Sequence, residues 1–255
     1  MKSSIGLFAL IVGLLFSSCK GIDITGSGMN CTGSSNDVIK GEGGIVTSNL
    51  TLNAFTGINL AFADNVTISY GSTPEVKATG HANIISRIKT NVTNNIWDIT
   101  LEDGCYQDYQ LDIHITMPIL DKATLSGSGD LVVNDFSNQN NLSVNLDGSG
   151  DITFNAFEGI QALKLVLSGS GDITGNKDIS TLKNFEIILN GSGDCNTFPI
   201  AGEACNVTLS GSGDCELTAT NTLNAILNGS GDISYKGSPS ITQSVSGSGD
   251  INNAN

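Results

Sequence analysis

Basic side chains are scarce in this sequence. Lysine and arginine together number 11, against 25 aspartate and glutamate residues, which gives a formal net charge of −14 at pH 7. Arg87 is the only arginine. Nucleic-acid binding depends on lysine and arginine contacts to phosphates, so the composition argues against DNA and RNA as partners. An acidic surface of this kind keeps an exported protein soluble.

The chain also lacks the residue groupings on which most enzymes and zinc sites depend. It has two histidines, His81 and His114, and no Cys-x-x-Cys pair, so no zinc site is expected. β-Helical polysaccharide-degrading enzymes need paired carboxylates, or a basic residue set against a carboxylate. The repeats described below contain only scattered lysines and no long loop to form a cleft. We therefore expect no enzyme and no cofactor, with a polysaccharide-degrading enzyme as the least favoured function.

No apolar run is long enough to cross a membrane comfortably as a mature helix. The longest begins at Ile5, behind a lysine, and ends just before Ser17-Ser18-Cys19. This arrangement is typical of a signal peptide, and small residues before the cysteine resemble a bacterial lipobox. The resemblance implies that residues 1–19 are a lipoprotein signal peptide, with cleavage before Cys19 and lipid attachment to its thiol. An ordinary signal peptide with an incidental cysteine is the alternative.

Residues 20–44 are mostly glycine, serine, threonine, asparagine and aspartate. Such a segment buries too little apolar surface to offset the entropy of ordering, so we predict a flexible tether. A lipid at Cys19 would anchor the chain to a membrane face without spanning it. The predicted location is the bacterial cell envelope, at the outer membrane, facing the periplasm or the cell surface.

Residues 45–120 alternate apolar and polar side chains, which indicates half-buried strands. The segment Asn65-Val66-Thr67-Ile68 matches the residues that follow the later repeats, such as 151–154. We interpret residues 45–120 as degenerate repeats that cap a stack, because terminal repeats are commonly atypical.

The tetrapeptide Gly-Ser-Gly-Asp occurs seven times within residues 121–253. Its copies begin at Gly127, Gly148, Gly169, Gly191, Gly211, Gly229 and Gly247, at intervals of 21, 21, 22, 20, 18 and 18 residues. This near-constant period is typical of a stacked repeat. Two positions before each copy, from the second onward, stand Leu146, Leu167, Leu189, Leu209, Leu227 and Val245.

Equivalent side chains of successive coils in a parallel β-helix stack about 4.8 Å apart, so this column would form a ladder in a continuous core. Antiparallel hairpins would instead need the chain to reverse direction between strands. We predict an all-β fold, a parallel β-helix with 18–22-residue coils, Gly-Ser-Gly-Asp corners and a right-handed sense, over residues 45–253. The two motif glycines are expected to allow positive φ and close approach between corners.

The motif also places one aspartate at each corner. The column consists of Asp130, Asp151, Asp172, Asp194, Asp214, Asp232 and Asp250. Neighbouring carboxylates at strand spacing repel by about 0.9 kcal/mol per pair even at the dielectric constant of water. The column must therefore splay, accept hydrogen bonds from corner N–H groups, or share cations. A structural corner is favoured over a calcium ladder, which the donor chemistry permits.

Five cysteines remain once Cys19 is assigned to lipid. Cys195 and Cys215 fill the same apolar column in consecutive coils, within disulfide reach, and an exported protein meets oxidising conditions. A disulfide and two reduced core thiols are both consistent with this spacing. Cys31 and Cys105 form a second candidate pair, which would tie the tether to the cap.

Three segments carry a resemblance to a known family. They are the repeated Ser-Gly-Ser-Gly-Asp-Ile pattern, the segment Phe55-Thr56-Gly57-Ile58-Asn59 and the junction Met117-Pro118-Ile119-Leu120. Together they resemble the putative auto-transporter adhesin, head GIN domain family over residues 45–253. The resemblance implies a β-helical domain, a homotrimer and an adhesive role, and it supplies no ligand and no catalytic residues.

We therefore expect a lipid-anchored envelope protein whose repetitive surface binds a glycan or a protein ligand. The alternative is a structural envelope protein that associates with itself, because the exposed ends of a coil are edges that can pair.

Overall fold

The computed structural model describes residues 38–255, apart from the side chains of residues 180 and 181. The predicted signal peptide, Cys19 and most of the predicted tether lie outside the described residues. Within residues 38–255, no helix has the length and apolarity to cross a membrane.

Ten short elements precede the repeats. They are β1 (Val38–Lys40), β2 (Ile45–Asn49), β3 (Gly57–Leu60), β4 (Asn65–Tyr70), β5 (Glu75–His81), α1 (Ala82–Ile85), β6 (Val92–Thr93), β7 (Ile96–Ile99), β8 (Cys105–Gln107) and β9 (Leu111–Met117).

Twelve strands form the repeats. They are β10 (Lys122–Leu125), β11 (Leu131–Val133), β12 (Asn141–Leu146), β13 (Ile152–Phe154), β14 (Ala162–Leu167), β15 (Ile173–Gly175), β16 (Ile179–Leu189), β17 (Cys195–Leu209), β18 (Cys215–Leu227), β19 (Ile233–Lys236), β20 (Ser240–Val245) and β21 (Ile251–Asn253).

The repeats wind as parallel coils, each giving one strand to each of two ladders. The first ladder contains β10, β12, β14, β16, the second halves of β17 and β18, and β20. The second ladder contains β11, β13, β15, the first parts of β17 and β18, β19 and β21. Each Gly-Ser-Gly-Asp corner lies between the two strands of its coil. The predicted parallel β-helix is confirmed.

The core of the coil consists of ladders of aliphatic side chains, as the column alignment predicts. Leu146, Leu167, Leu189, Leu209 and Leu227 lie directly above one another and are at most 1% exposed. Side chains of this kind contribute roughly 1.5–3 kcal/mol each on burial, before entropy is subtracted.

The first half caps the stack, but its spatial order differs from its chain order. The coil formed by β3 and β4 lies between the coil of β7 and β9 and the coil of β10 and β11. Val66 pairs with Leu131, which confirms that Asn65-Val66-Thr67-Ile68 is a degenerate repeat. Antiparallel strands then extend this end, since β5 pairs with β9, β2 with β5, and β6 with β7.

The corner glycines are required by close backbone contact. The positive-φ glycines of the described residues are Gly43, Gly159 and Gly237, so the expectation of positive φ at the corners is wrong. A Cβ atom on Gly148 would lie 1.9 Å from the carbonyl oxygen of Gly127 in the coil before it. Both glycines of the later corners meet the preceding coil at similar distances, so any side chain there would push two coils apart.

One corner escapes this constraint. In the coil of β3 and β4, register places Phe62 and Asp64 where later coils have the two glycines. The neighbouring coil is widened there by residues 100–110, which join β7 to β9 and include β8. The side chain of Phe62 is buried, and that of Asp64 bonds to Tyr109 in the widened loop.

A strand lies inside the segment that composition predicts to be a flexible tether, since β1 spans Val38–Lys40. It pairs in parallel with β8, and Lys40 forms an ion pair with Asp108 at 2.6 Å. The partner strand begins at Cys105, which is disulfide-bonded. Its predicted partner, Cys31, lies outside the described residues.

The corner contacts predict that Gly150→Ala destabilises the fold strongly, because the new Cβ would lie 1.9 Å from the Gly129 carbonyl oxygen. Forcing atoms into a packed site costs about 1–3 kcal/mol or more, and the melting temperature should fall by several degrees. Gly44→Ala is the matched control, since no atom lies within 4 Å of its Cβ position. Equal melting temperatures for the two variants would show that the corners can separate without cost.

Candidate functional site

The aspartate column is held together by hydrogen bonds between coils. In each of the six neighbouring pairs, the backbone N–H of one aspartate donates to Oδ1 of the aspartate in the preceding coil, over 2.7–3.1 Å. The N–H of the residue after each aspartate points toward the next coil instead: Leu131, for example, donates to the carbonyl oxygen of Asp151. The carboxylate thus supplies the acceptor that the turning backbone lacks.

The free energy of these hydrogen bonds explains why the like-charged aspartates can stack. A hydrogen bond to a charged group contributes about 1.5–3 kcal/mol, whereas the repulsion per pair is about 0.9 kcal/mol in water. Each neighbouring pair has one such bond and one such repulsion, so the bond outweighs the repulsion. Of the three compensations that the sequence left open, the structure shows hydrogen bonding to the corner N–H groups.

The coil of β3 and β4 shows that an uncharged side chain can accept the same hydrogen bond. There Asn65 occupies the aspartate position, and its Oδ1 accepts the N–H of Asp130 at 3.1 Å. Among residues 38–255, no group of three or more histidine, cysteine, aspartate or glutamate side chains is placed to hold a metal ion. The column therefore needs no calcium to account for its geometry.

The predicted cysteine pair meets in the core. Cys195 and Cys215 are in register on neighbouring strands, fully buried, and free thiols in the structure. A hydrogen bond with Cys195, together with burial, raises the pKa of Cys215 well above its usual value. Burial also raises the pKa of Cys205 to about 11. All three behave as small apolar core residues, and the 195–215 disulfide stays a prediction that the register permits.

A half-buried carboxyl lies at the corner where the glycines are replaced. Burial raises the pKa of Asp64 from 3.8 to about 6, against the effect of the Tyr109 hydroxyl, which donates to its Oδ2 at 2.7 Å. The nearby Asp112 carboxylate adds to the rise. Burial, with the Asp64 charge, raises the pKa of Tyr109. The Asp64–Tyr109 pair connects the widened loop to the coil. Aligning residues 60–68 with the later repeats would have indicated this corner, because Phe62 and Asp64 then stand where the later repeats have glycine.

The outer surface of the first ladder carries an open groove of about 530 Å³ across β12, β14, β16 and β17, with polar outward side chains above an apolar floor of Leu142, Leu163 and Phe185. We call it the polar groove after those outward side chains. One row of outward side chains consists of Ser143, Lys164, Glu186 and Asn206 in successive coils. A second row has Asn141 and Asn184 on either side of Ala162.

The groove combines amide, hydroxyl and charged groups at regular spacing. Lys164 and Glu186 form an ion pair at 2.9 Å, with more than two fifths of each side chain exposed. Such an exposed ion pair contributes little to stability, so it can open at little cost and each side chain can bind a ligand instead. The asparagine amides both donate and accept hydrogen bonds. The arrangement can therefore bind a ligand rich in hydroxyl or amide groups.

A second concavity, of about 400 Å³, lies beside the cap and is mainly apolar. Its lining includes Leu52, Phe55, Met117 and Ile119, and its one charged residue, Glu75, is paired with Lys77 at 2.7 Å. The sequence gives no sign of this cleft, because its lining comes from three separate segments of the first half, residues 50–56, 74–76 and 116–119. The family resemblance rests on two of those segments, but no pattern in them indicates a cavity.

Comparison with known proteins identifies relatives for most of the chain. A family model described as putative auto-transporter adhesin, head GIN domain, matches residues 54–239. The resemblance predicted from the repeats is confirmed over this range, which is narrower than residues 45–253. Among curated proteins, none matches the chain.

Several solved bacterial structures have the same fold. A putative adhesin from Bacteroides fragilis superposes with a TM-score of 0.76 at 23% identity, covering 84% of this chain and 99% of that one. A putative lipid binding protein from Parabacteroides distasonis gives 0.69 at 23% identity, with 86% and 100% covered. A putative adhesin from Parabacteroides merdae gives 0.61 at 19% identity, with 86% and 100% covered. At these identities the likeness shows the fold alone.

The aspartate ladder predicts different results for two substitutions of Asp172. Asp172→Ala removes the acceptor that the Asp194 N–H uses at 2.7 Å, and should cost about 1–3 kcal/mol in urea unfolding. Asp172→Asn keeps an oxygen acceptor and should stay within about 1 kcal/mol of the parent chain. Melting temperatures should not respond to chelator or to added calcium. A large loss in Asp172→Asn, or a calcium-dependent melt, would instead support a charged, cation-binding column.

The raised pKa of Asp64 predicts that stability falls as the pH rises from about 4 to about 6. In this window the folded protein keeps a proton that the unfolded chain has lost, so folding is penalised increasingly. At about 1.4 kcal/mol per pKa unit, the fall attributable to Asp64 is at most about 3 kcal/mol. Asp64→Asn should remove it in urea unfolding measured across this range. The exposed Asp178→Asn is the control, and parallel pH profiles for both variants would refute the assignment.

Proposed function

Because the chain belongs to the putative auto-transporter adhesin, head GIN domain family, we propose that it is a lipid-anchored binding protein of the bacterial cell envelope. Its solved relatives are named as adhesins or binding proteins, and the family as a whole indicates an exported or envelope location. The lipobox-like Ser17-Ser18-Cys19 supports a lipid anchor. The bonded state of Cys105 supports an oxidising compartment.

The polar groove on the first ladder is the observation that favours a binding role. Its two rows repeat at strand spacing, about 4.8 Å, so equivalent groups recur along the axis of the coil. A linear ligand lying along that axis meets one set of side chains per coil. The corners hold these sets in register, because two coils cannot separate without breaking the ladder bonds.

The chemistry of the groove favours a glycan over a protein. Ser143, Asn184 and Asn206 offer hydroxyl and amide groups, and the charged groups of the lining are those of Lys164, Glu186 and Asp121. Sugar hydroxyls both donate and accept, and can use all of these groups. The groove is open and lacks an exposed aromatic side chain, whereas protein interfaces are enriched in exposed aromatic anchors.

The proposal predicts binding to an array of purified glycans that depends on the groove. The labelled full chain, in detergent micelles, should bind at least one glycan class, and Lys164→Ala and Asn184→Ala should each weaken that binding about fivefold or more. Both side chains are exposed or half-exposed, so the melting temperature should change little.

Asn196→Ala is the matched control, because Asn196 points outward from the second ladder, away from the groove. Equal loss in Asn196→Ala would mean that binding does not use the groove. A second array carries purified matrix proteins. Binding to that array alone would replace the glycan with a protein ligand, and binding to neither array would refute the proposal.

A further inference from the structure

The last coil of the described chain, formed by β20 and β21, leaves the end of the core uncovered. Ile241, Gln243 and Val245 continue the inward columns of Leu223, Ala225 and Leu227 in the coil before it. Those three earlier side chains are at most 1% exposed, whereas Ile241 is 37% and Val245 49% exposed. Apolar side chains that would be core in any other coil thus face solvent.

The same end has unpaired backbone edges. Among the described residues, β20 pairs only with β18, and β21 pairs only with β19, so each has one free side. The aspartate ladder also stops here within the described residues: each carboxylate from Asp130 to Asp232 accepts an N–H from the next coil, and no described coil lies beyond Asp250. At this end, the strand edges are unpaired, the apolar core is exposed and the aspartate ladder is unfinished, and one further β-layer would complete all three.

The opposite end of the coil is built differently. The outer edges of β7 and β9 are already paired with the antiparallel strands β6 and β5. The core beneath them is closed by Ile84, Ile85 and Ile88, each at most 7% exposed. The free edge beyond β5 belongs to β2, which is antiparallel to β5, so a second molecule would not meet a parallel coil edge there. Repeated head-to-tail stacking, and with it the open-ended polymer of a structural protein, is therefore disfavoured.

Charge identifies the kind of partner that the uncovered end fits. Asp250 is the only charged side chain in residues 237–255, although the whole chain has a net charge of −14. Two copies of so acidic a protein repel each other except where they meet through a neutral surface. The uncovered end is such a surface, and it offers no charge pattern for a foreign partner.

We propose that two copies of this chain join at their uncovered ends, with β20 of one copy pairing antiparallel with β20 of the other about a two-fold axis. Such an interface uses the same surface twice and closes after two copies. Centred on Gln243, this register sets Ile241 of each copy opposite Val245 of the other, and the two Gln243 amides opposite each other. Every inward side chain stays inward, because antiparallel partners share a face. The proposal is independent of the polar groove.

Cross-linking tests the register. In the full chain in detergent micelles, Gln243→Cys places two thiols on the two-fold axis, where directly opposite Cα atoms lie about 4.5–5.5 Å apart, within disulfide range. Mild oxidation should give a dimer whose bridge maps to position 243 by mass spectrometry. Thr242→Cys is the register control, since its two copies would lie about 7–8 Å apart on the diagonal and should bridge poorly.

Light scattering tests the surface. The parent chain should behave as a dimer, and Val245→Asp should weaken the dimer about tenfold or more by placing a carboxylate at the centre of an apolar contact. Val46→Asp is the matched control, because Val46 is also an exposed apolar residue, 41% exposed, on an edge strand at the opposite end. It should leave the dimer intact, and both variants should melt near the parent temperature.

Four outcomes would overturn the proposal: a monomer at every concentration, a trimer or larger assembly, a dimer unaffected by Val245→Asp, or equal bridging at positions 242 and 243. A trimer would favour the assembly that the family resemblance implies. Loss of the dimer in Val46→Asp alone would move the interface to β2.

Discussion

The contact between successive corners is the constraint on which the rest of this molecule depends. At each later corner, two glycines let the backbone of one coil lie against the carbonyl oxygens of the coil before it. At that distance one backbone N–H per coil has no carbonyl to meet, and the aspartate side chain supplies the acceptor. The glycines and the aspartate are therefore one device. The glycines bring the coils together, and the carboxylate satisfies the N–H group that this approach would leave unpaired.

The corner contacts also explain which positions of each coil are structural and which can vary. The corner residues are fully used in holding coils in register, and the inward columns are used in packing. Only the outward side chains of the two ladders are free to vary, and they do: the row containing Lys164 has serine, lysine, glutamate and asparagine in four successive coils. A binding function can be placed on such a surface without disturbing the fold, since exposed substitutions of this kind change stability little.

Most of the repeat region could be predicted from the sequence. Each coil makes the same close backbone contact at its corner, and the same four residues, Gly-Ser-Gly-Asp, allow that contact every time. The parallel winding and the leucine column follow from that period. The cap could not be predicted in the same way. Its strands pair with partners far away in the sequence, and the order in which β3, β7 and β10 stack is set by tertiary contacts that leave no period. The polar groove and the apolar cleft were missed for a related reason: outward residues and connecting segments carry no repeat by which to align them.

The substitutions at the exceptional corner show how closely sequence and neighbouring structure are linked. Phe62 and Asp64 replace glycines only where the neighbouring coil is widened, so their side chains occupy space that backbone fills elsewhere. The widened loop contains β8, to which β1 and the disulfide-bonded Cys105 belong. The segment leading from the predicted anchor thus meets the coil at the one corner where the repeat is relaxed. β1 therefore lies with the cap, at the opposite end of the coil from β20 and β21.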